Sequence, residues 1–380
     1  MFASSHGPIA GTRYFVTIAF VAMCLLVLGY LGIQRGDELT LAGSYASKQF
    51  LWGAIGFVVL AASLLVPYRS LREWSYLLYA CCLVLLVVVF FLPARNGSRR
   101  WIPLGPMFLQ PSELAKLAYI FAISHYLMFR SNQRTVLGLI PPFLMTLVPV
   151  VLILKEPDLG TSLLFFPALY AILFAAGAKR VHLVLTLCAG ILVTPVLWKF
   201  MSAEQKSRVT ALFLQSDSGE LQTGDGYHLH QSKMMLAHGG PWGQASADSM
   251  VDLPAAAYRL PAGRTDFVYC LVGERFGLPG TLGVLGLFAM LIWAGLGVAA
   301  RTRDPFGRLV ATGIVTMLGS QALINTAMTV GLAPITGLTL PLMSYGGSSL
   351  VMTLFSLGIM LNIAIRPGYD LAGQPFQFRD

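Results

Sequence analysis

Charge is what this chain most lacks. Only 11% of its residues are Asp, Glu, Lys or Arg, 56% are hydrophobic, and the mean hydropathy is +0.70, whereas soluble domains are about 25% charged. A soluble fold is thereby excluded. Acid is scarcer than base, 17 residues against 26, for a net charge of +9. The basic residues mostly flank apolar runs, as membrane topology alone requires, so nucleic acid is excluded as a partner. The five cysteines, Cys24, Cys81, Cys82, Cys188 and Cys270, lie in or beside apolar segments without metal-ligand spacing. They read as small core residues. Tandem repeats and low-complexity tracts are absent, which excludes solenoids and long linkers.

What is present is a series of apolar runs of about 20 residues, the length that crosses a hydrocarbon core of about 30 Å. They fall at 14–33, 50–67, 76–93, 112–128, 136–154, 159–178, 181–201, 277–300, 307–331 and 340–365. The expected fold is an all-α integral membrane protein of about ten helices. The first run follows Arg13 and lacks a convincing small-residue cleavage site, so it reads as a retained span. The N-terminus, the loops after spans 2, 4, 6 and 8, and the C-terminal flank hold eleven Lys and Arg, against six in the opposite short loops. By the positive-inside rule both termini are expected in the cytoplasm. Residues 1–13 are then a cytoplasmic N-terminus, 14–366 the membrane domain and 367–380 a cytoplasmic tail. One large extracytoplasmic loop, about 202–276, separates spans 7 and 8, and its apolar pieces Val209–Leu214 and Met234–Ala237 suggest interfacial helices.

The four least ordinary clusters share that outer side: Arg99–Lys116, Glu156–Thr161, Leu260–Glu274 and Thr336–Ser349. Convergence on one face implies a single site near the outer leaflet. Each cluster also has a plain structural reading. Glu113 and Lys116 have the spacing of a helix ion pair, yet ionisable groups inside spans cost about 2.5–3.5 kcal/mol each at mid-depth and are functional candidates by default. Asp158 beside Pro157 suits a helix cap, and Gly346 and Gly347 with Ser344 suit either small-residue packing or a backbone-lined anion pocket. Asp266, where a polar loop re-enters the membrane, is either a cap or a base.

The segments NGSRRWIPLGP and QPSELAK at Asn96–Lys116, EPDLGTS at Glu156–Ser162, GDGYHLHQSKMMLAHGGPWGQ at Gly224–Gln244, TDFVYCLVGERFGLPG at Thr265–Gly280 and GLTLPLMSYGGSS at Gly337–Ser349 resemble the SEDS family (shape, elongation, division and sporulation), the peptidoglycan polymerases that include RodA and FtsW. The resemblance runs from Lys48 through Arg366. Glu156–Ala178 is closer to RodA-like members, whereas Gly337–Pro341 is FtsW-like. Two places depart from the family: Ala262, Gly263 and Arg264 stand where a glutamate, an arginine and a histidine are common, and Ala245–Tyr258 matches poorly.

The resemblance implies a ten-helix SEDS fold in the bacterial cytoplasmic membrane and a glycosyltransferase that polymerises lipid II into β-1,4 glycan strands on its outer face. The family's essential aspartate falls on Asp266, its charged pair on Glu113 and Lys116, and its PDLGT aspartate on Asp158. An inverting single displacement needs one general base, which contributes roughly 10²–10⁴-fold. The diphosphate leaving group needs cations, for which Arg100, Lys116, Arg208, Lys233 and Arg264 are candidates; Trp101 lies beside them. No dedicated metal is implied, and Mg²⁺ or Mn²⁺ would arrive with the diphosphate. The implied partners are lipid II, the nascent glycan strand, a class B penicillin-binding protein that crosslinks it, and other elongation or division proteins. Two rivals from other classes are a lipid II carrier without bond chemistry, which would need polar groups at mid-depth, and a scaffold for the transpeptidase.

Overall fold

The computed structural model describes residues 9–40, 44–94, 98–105, 107–130, 132–213, 224–244, 260 and 262–368. Twelve α-helices occupy most of it: α1 (Ile9–Thr40), α2 (Tyr45–Leu65), α3 (Ser70–Val88), α4 (Pro111–Leu127), α5 (Ile140–Lys155), α6 (Leu159–Ala175), α7 (Arg180–Phe200), α8 (Ala203–Phe213), α9 (Asp225–Gly239), α10 (Val268–Arg301), α11 (Pro305–Thr329) and α12 (Gly347–Ile365). Every expected span is helical, and seven are long and apolar enough to cross a membrane, with α6 and α7 as shorter apolar helices. The chain is an all-α, multi-pass membrane protein.

Apolar residues surround most helices instead of forming one stripe, as a lipid-facing bundle requires. The exception is α4, which carries Glu113 and Lys116 and is buried along almost its whole length. It packs among α3, α5, α6, α11 and α12. Lipid offers such a core no hydrogen bonds, so its polar side chains must find partners inside the bundle. By contrast α7 exposes Val184, Leu187, Ile191 and Leu192 along its outer side, the aspect of a helix at the rim.

Two stretches differ from expectation, each for a local reason. The insertion contributes α8 and α9 over the apolar pieces singled out, and also the first turns of α10, from Val268 to the break at Gly277, which the sequence placed in the loop before the span at 277–300. The helix bends at Gly277, whose φ of 63° only glycine adopts at low cost. There the backbone of Gly243 meets that of Gly277 so closely that a Cβ on Gly277 would lie 2.4 Å from the Gly243 nitrogen. The last span starts at Gly347 because residues 340–346 form turns, with Leu342 at a φ of 65°. The Asp217–Glu220 cluster, the Ala245–Tyr258 segment and the far ends of both termini lie outside the described residues.

Two antiparallel strands, β1 (Ile102–Leu104) and β2 (Met107–Leu109), pair with Leu104 opposite Met107. Gly105, at a φ of 67°, turns the hairpin. It delivers Arg100 and Trp101 on one side and Gln110 on the other to the ends of α4 and α6.

Candidate active site

The N-termini of α4, α6, α10 and α12 and the 336–346 loop meet at one end of the bundle. Asp158 caps α6, accepting from the Thr161 N–H at 3.0 Å and the Thr161 hydroxyl at 2.9 Å. The capping role read from the sequence is thus real. It leaves the carboxylate within 3.4 Å of Gln110 Nε2 as well. Gly160, in the first turn, lets the 336–338 backbone approach: a Cβ there would lie 2.7 Å from the Thr336 carbonyl oxygen.

Asp266 precedes α10 in a tight turn in which its N–H donates to the Ala262 carbonyl at 2.9 Å. Its own carbonyl accepts from Asn325 Nδ2 at 2.8 Å. A methyl group at Gly337 would lie 3.8 Å from both Asp266 Oδ2 and Arg208 Nη1, so an acid and a guanidinium face the same small space. Burial pushes the Asp266 carboxyl up to about 6, with Asp158 adding to the rise while Thr265, Arg208 and Arg100 oppose it. Arg208 is braced by Glu204 one helical turn away on α8, at 2.6 Å, and its Nε is buried without a hydrogen-bond partner.

Arg100 clamps the turn before α6, donating from Nε to the Glu156 carbonyl at 2.6 Å and from Nη2 to the Pro157 carbonyl. Glu156 is only 1% exposed, and neither of its carboxyl oxygens has a hydrogen-bond partner among the described residues. Burial, aided by Asp158, lifts it to about 8 against the pull of Arg100, so it is protonated at neutral pH.

Other candidates lie further off. Lys116 donates to Glu113 Oε1 at 2.9 Å and to Gln321 Oε1 at 3.2 Å, with both charged side chains below a tenth exposed. The cavity beside the pair holds about 20 Å³ for the centre of a water molecule, which suits one water and not a diphosphate. Arg264 is turned to α1: its Nε stands 2.8 Å from Asp37 Oδ1, its Nη2 donates to the Gly36 carbonyl, and its guanidinium lies 4.6 Å over the Tyr45 ring. A cavity of about 190 Å³ opens there, between the ends of α1 and α2, α9 and the 260–265 turn. Lys233 is half-buried on α9 and Trp101 half-buried before the hairpin. The charges that act on Asp266 include those of Arg208, Asp158 and Arg100.

Ser344 closes its own turn, accepting from the Leu340 N–H at 2.8 Å, and its carbonyl accepts from Gln49. Gly347 presses on Trp52, whose ring a Cβ would meet at 2.3 Å, whereas a Cβ on Gly346 would find ordinary contacts. At Gly347 the small residue serves packing. The sequence reading passed over Gln321, Asn325, Asp37 and Gln110. The two amides carried a usable signal, since they are polar residues four apart inside a span.

A family model described as "Cell cycle protein", for FtsW, RodA and SpoVE, matches residues 12–367. The chain is 32% identical over 367 residues to the probable peptidoglycan glycosyltransferase FtsW of Geobacter sulfurreducens, covering 93% of this chain and 96% of that one. It is 32% identical to the peptidoglycan glycosyltransferase MrdB of Escherichia coli, covering 82% and 83%. Among solved structures it matches a chain of a peptidoglycan synthase complex, described as coordinating polymerization and crosslinking, with a TM-score of 0.79 at 29% identity over 93% and 98% of the two chains. RodA of Thermus thermophilus matches with a TM-score of 0.68 at 27% identity, over 93% and 97%.

Proposed function

Because this chain belongs to the FtsW, RodA and SpoVE family of cell cycle proteins, we propose a mechanism in which Asp266 is the general base of glycan-strand synthesis from lipid II. The protein is a peptidoglycan glycosyltransferase of the cell membrane. The observation that carries the mechanism is the meeting of Asp266 and Arg208 at Gly337.

The hydroxyl of the acceptor sugar gives its proton to an Asp266 oxygen as its own oxygen bonds to the anomeric carbon of the donor. The bond from that carbon to the diphosphate breaks, and its electron pair leaves on the diphosphate oxygen. Inversion in one displacement needs no second carboxylate. A carboxyl titrating at about 6 is ionised at neutral pH and still basic enough to accept a proton. Arg208, with an unspent buried Nε–H, faces the growing negative charge. Arg100 holds the Asp158 turn in place and adds positive charge. Mg²⁺ or Mn²⁺ enters this scheme only as a companion of the diphosphate.

A crosslinking partner is part of the proposal, since the chain resembles a component of a complex that couples polymerization to crosslinking; the finer assignment is a class B penicillin-binding protein. The termini are assigned to the cytoplasm on the Lys and Arg distribution, and the RodA-like subtype rests on Glu156–Ala178. Depletion separates the subtypes: rounded cells fit a shape role, filaments a division role. The carrier reading is disfavoured because the unusual clusters gather on one side of the chain, and the cavity beside the Glu113–Lys116 pair fits one water. The test of the mechanism is lipid II polymerisation by the purified protein with its partner. Asp266→Asn, nearly isosteric, is expected to insert and melt like wild type yet yield no glycan chains on a length-resolving gel; chains at near-native rate would remove Asp266 from the role.

A further inference from the structure

The Glu113–Lys116 pair and Asp266 do not touch, yet one helix connects them. On α11, Gln321 and Asn325 are four residues apart and therefore on one face. Both are buried. Lys116 Nζ has only protons to give, so the Gln321 oxygen must face it at 3.2 Å. That orientation commits the Gln321 NH₂ group to the other side, where it donates to the Thr339 carbonyl at 2.8 Å and reaches the Thr339 hydroxyl at 3.3 Å. Asn325 divides its NH₂ group between two carbonyls, Leu338 at 2.6 Å and Asp266 at 2.8 Å, while its buried Oδ1 has no hydrogen-bond partner. Two carbonyls alone fix that amide. Leu338 and Thr339 are consecutive, and Gly337 before them lines the space shared by Asp266 and Arg208.

We infer that Gln321 and Asn325 are positioning residues for Asp266, and that Lys116 acts on the site through them by locking the Gln321 amide and not by touching substrate. The inference rests on the reading of Asp266 as the base. The chain of contacts runs from Lys116 to Gln321, to the 337–339 backbone, to Asn325 and to the backbone of Asp266. Asn325 holds the base's own main chain, so its loss tilts the carboxylate directly; loss of Gln321 frees only the loop that the base faces. Misplacement of a catalytic group by about 1 Å costs up to about 10²-fold in rate.

The test uses the full-length protein with its crosslinking partner and lipid II as the probe, comparing Asn325→Leu, Gln321→Leu and Asp266→Asn. For Asn325→Leu the expected result is a fall in kcat of about 10²-fold with KM changed less than about twofold, and an acid limb of the pH profile displaced from that of wild type. Gln321→Leu should show a smaller fall of the same kind. A merely structural role would lower the amount of folded enzyme and leave both KM and the limb of the survivors alone. If Asn325→Leu does not fold, Asn325→Ser, which keeps one O–H donor for either carbonyl, carries the test with an intermediate kcat expected. An inactive Asp266→Asn beside Asn325 variants with wild-type kcat and pH profile would overturn the inference and leave the base assignment standing. An active Asp266→Asn would overturn both.

Discussion

The charge environment of Asp266 makes the pH dependence of the reaction a quantitative matter. Its carboxyl is raised to about 6 chiefly by burial, against the opposing pull of Arg208 and Arg100. A base titrating there is about one-tenth ionised at pH 5 and nine-tenths at pH 7, so kcat/KM should climb about tenfold between them. Replacing Arg208 by Gln removes one of the cations. A unit charge at 4 Å is worth about 1 kcal/mol in water and about 4 in a surface-like protein medium. Glu204, paired with Arg208 at 2.6 Å, offsets part of that, which favours the low end. About 1.4 kcal/mol moves the limb by one pH unit, toward 7. The wild-type to variant ratio of kcat/KM should then be about fivefold larger at pH 6 than at pH 8. The assay is initial-rate lipid II polymerisation at fixed ionic strength across pH 5 to 8.5, and the ratio between pH values cancels any uniform loss of diphosphate binding. A wild-type profile flat from pH 5 to 7, or a ratio constant across pH, would refute the assignment of Asp266 as the titrating base.

Lys116→Met leaves Glu113 buried without its cation and should cost about 3–5 kcal/mol, seen as a lower Tm in detergent; the Glu113→Leu, Lys116→Met double variant should recover much of it, and equal loss in both would count against a paired role. Glu156 is raised to about 8 in the folded chain, above its unfolded value, so it favours folding at low pH and that contribution is lost as pH rises from about 4.5 through 8. Glu156→Gln should therefore flatten the decline in Tm between pH 6 and 9, and an unchanged decline would show another group to be responsible. Gly347→Ala places a Cβ against Trp52 at 2.3 Å and should cost about 1–3 kcal/mol by overpacking, which thermal unfolding measures; a neutral effect would mean that α2 and α12 part easily there.

Composition and run length alone made the bundle legible, because lipid permits a segment of 20 apolar residues few alternatives to a helix. Placement of the four clusters on one face followed from counting spans. Less legible was anything decided by backbone shape: the break within α10 and the turn before Gly347 depend on Gly277 and Leu342 φ angles that periodicity does not encode. Arg264 counts among the candidate cations because it stands one residue from the place of the family's usual arginine. Its side chain instead leaves that turn toward Asp37, a partner 227 positions earlier that no local pattern could nominate. Gln321 and Asn325 were overlooked for the opposite reason: carrying no charge, they escape a count of ionisable groups, although in a packed core each must still spend its donors.

An ionic clasp between α1 and α10 also bears on how the protein comes to exist. Arg35 grips Glu274 through two hydrogen bonds across 239 positions of sequence, and Gln49 waits for the Ser344 carbonyl across 295. At translation speeds of about 5–20 residues per second, the first helix sits in the bilayer for roughly 12–48 s before its ionic partner is made. A ribosome-bound fragment therefore carries early helices without a base, a loop 336–346 or a closed clasp. On the proposed mechanism, competence needs the 336–346 loop as well as Asp266, so a chain cut before that loop is expected to insert its early helices and to polymerise no lipid II.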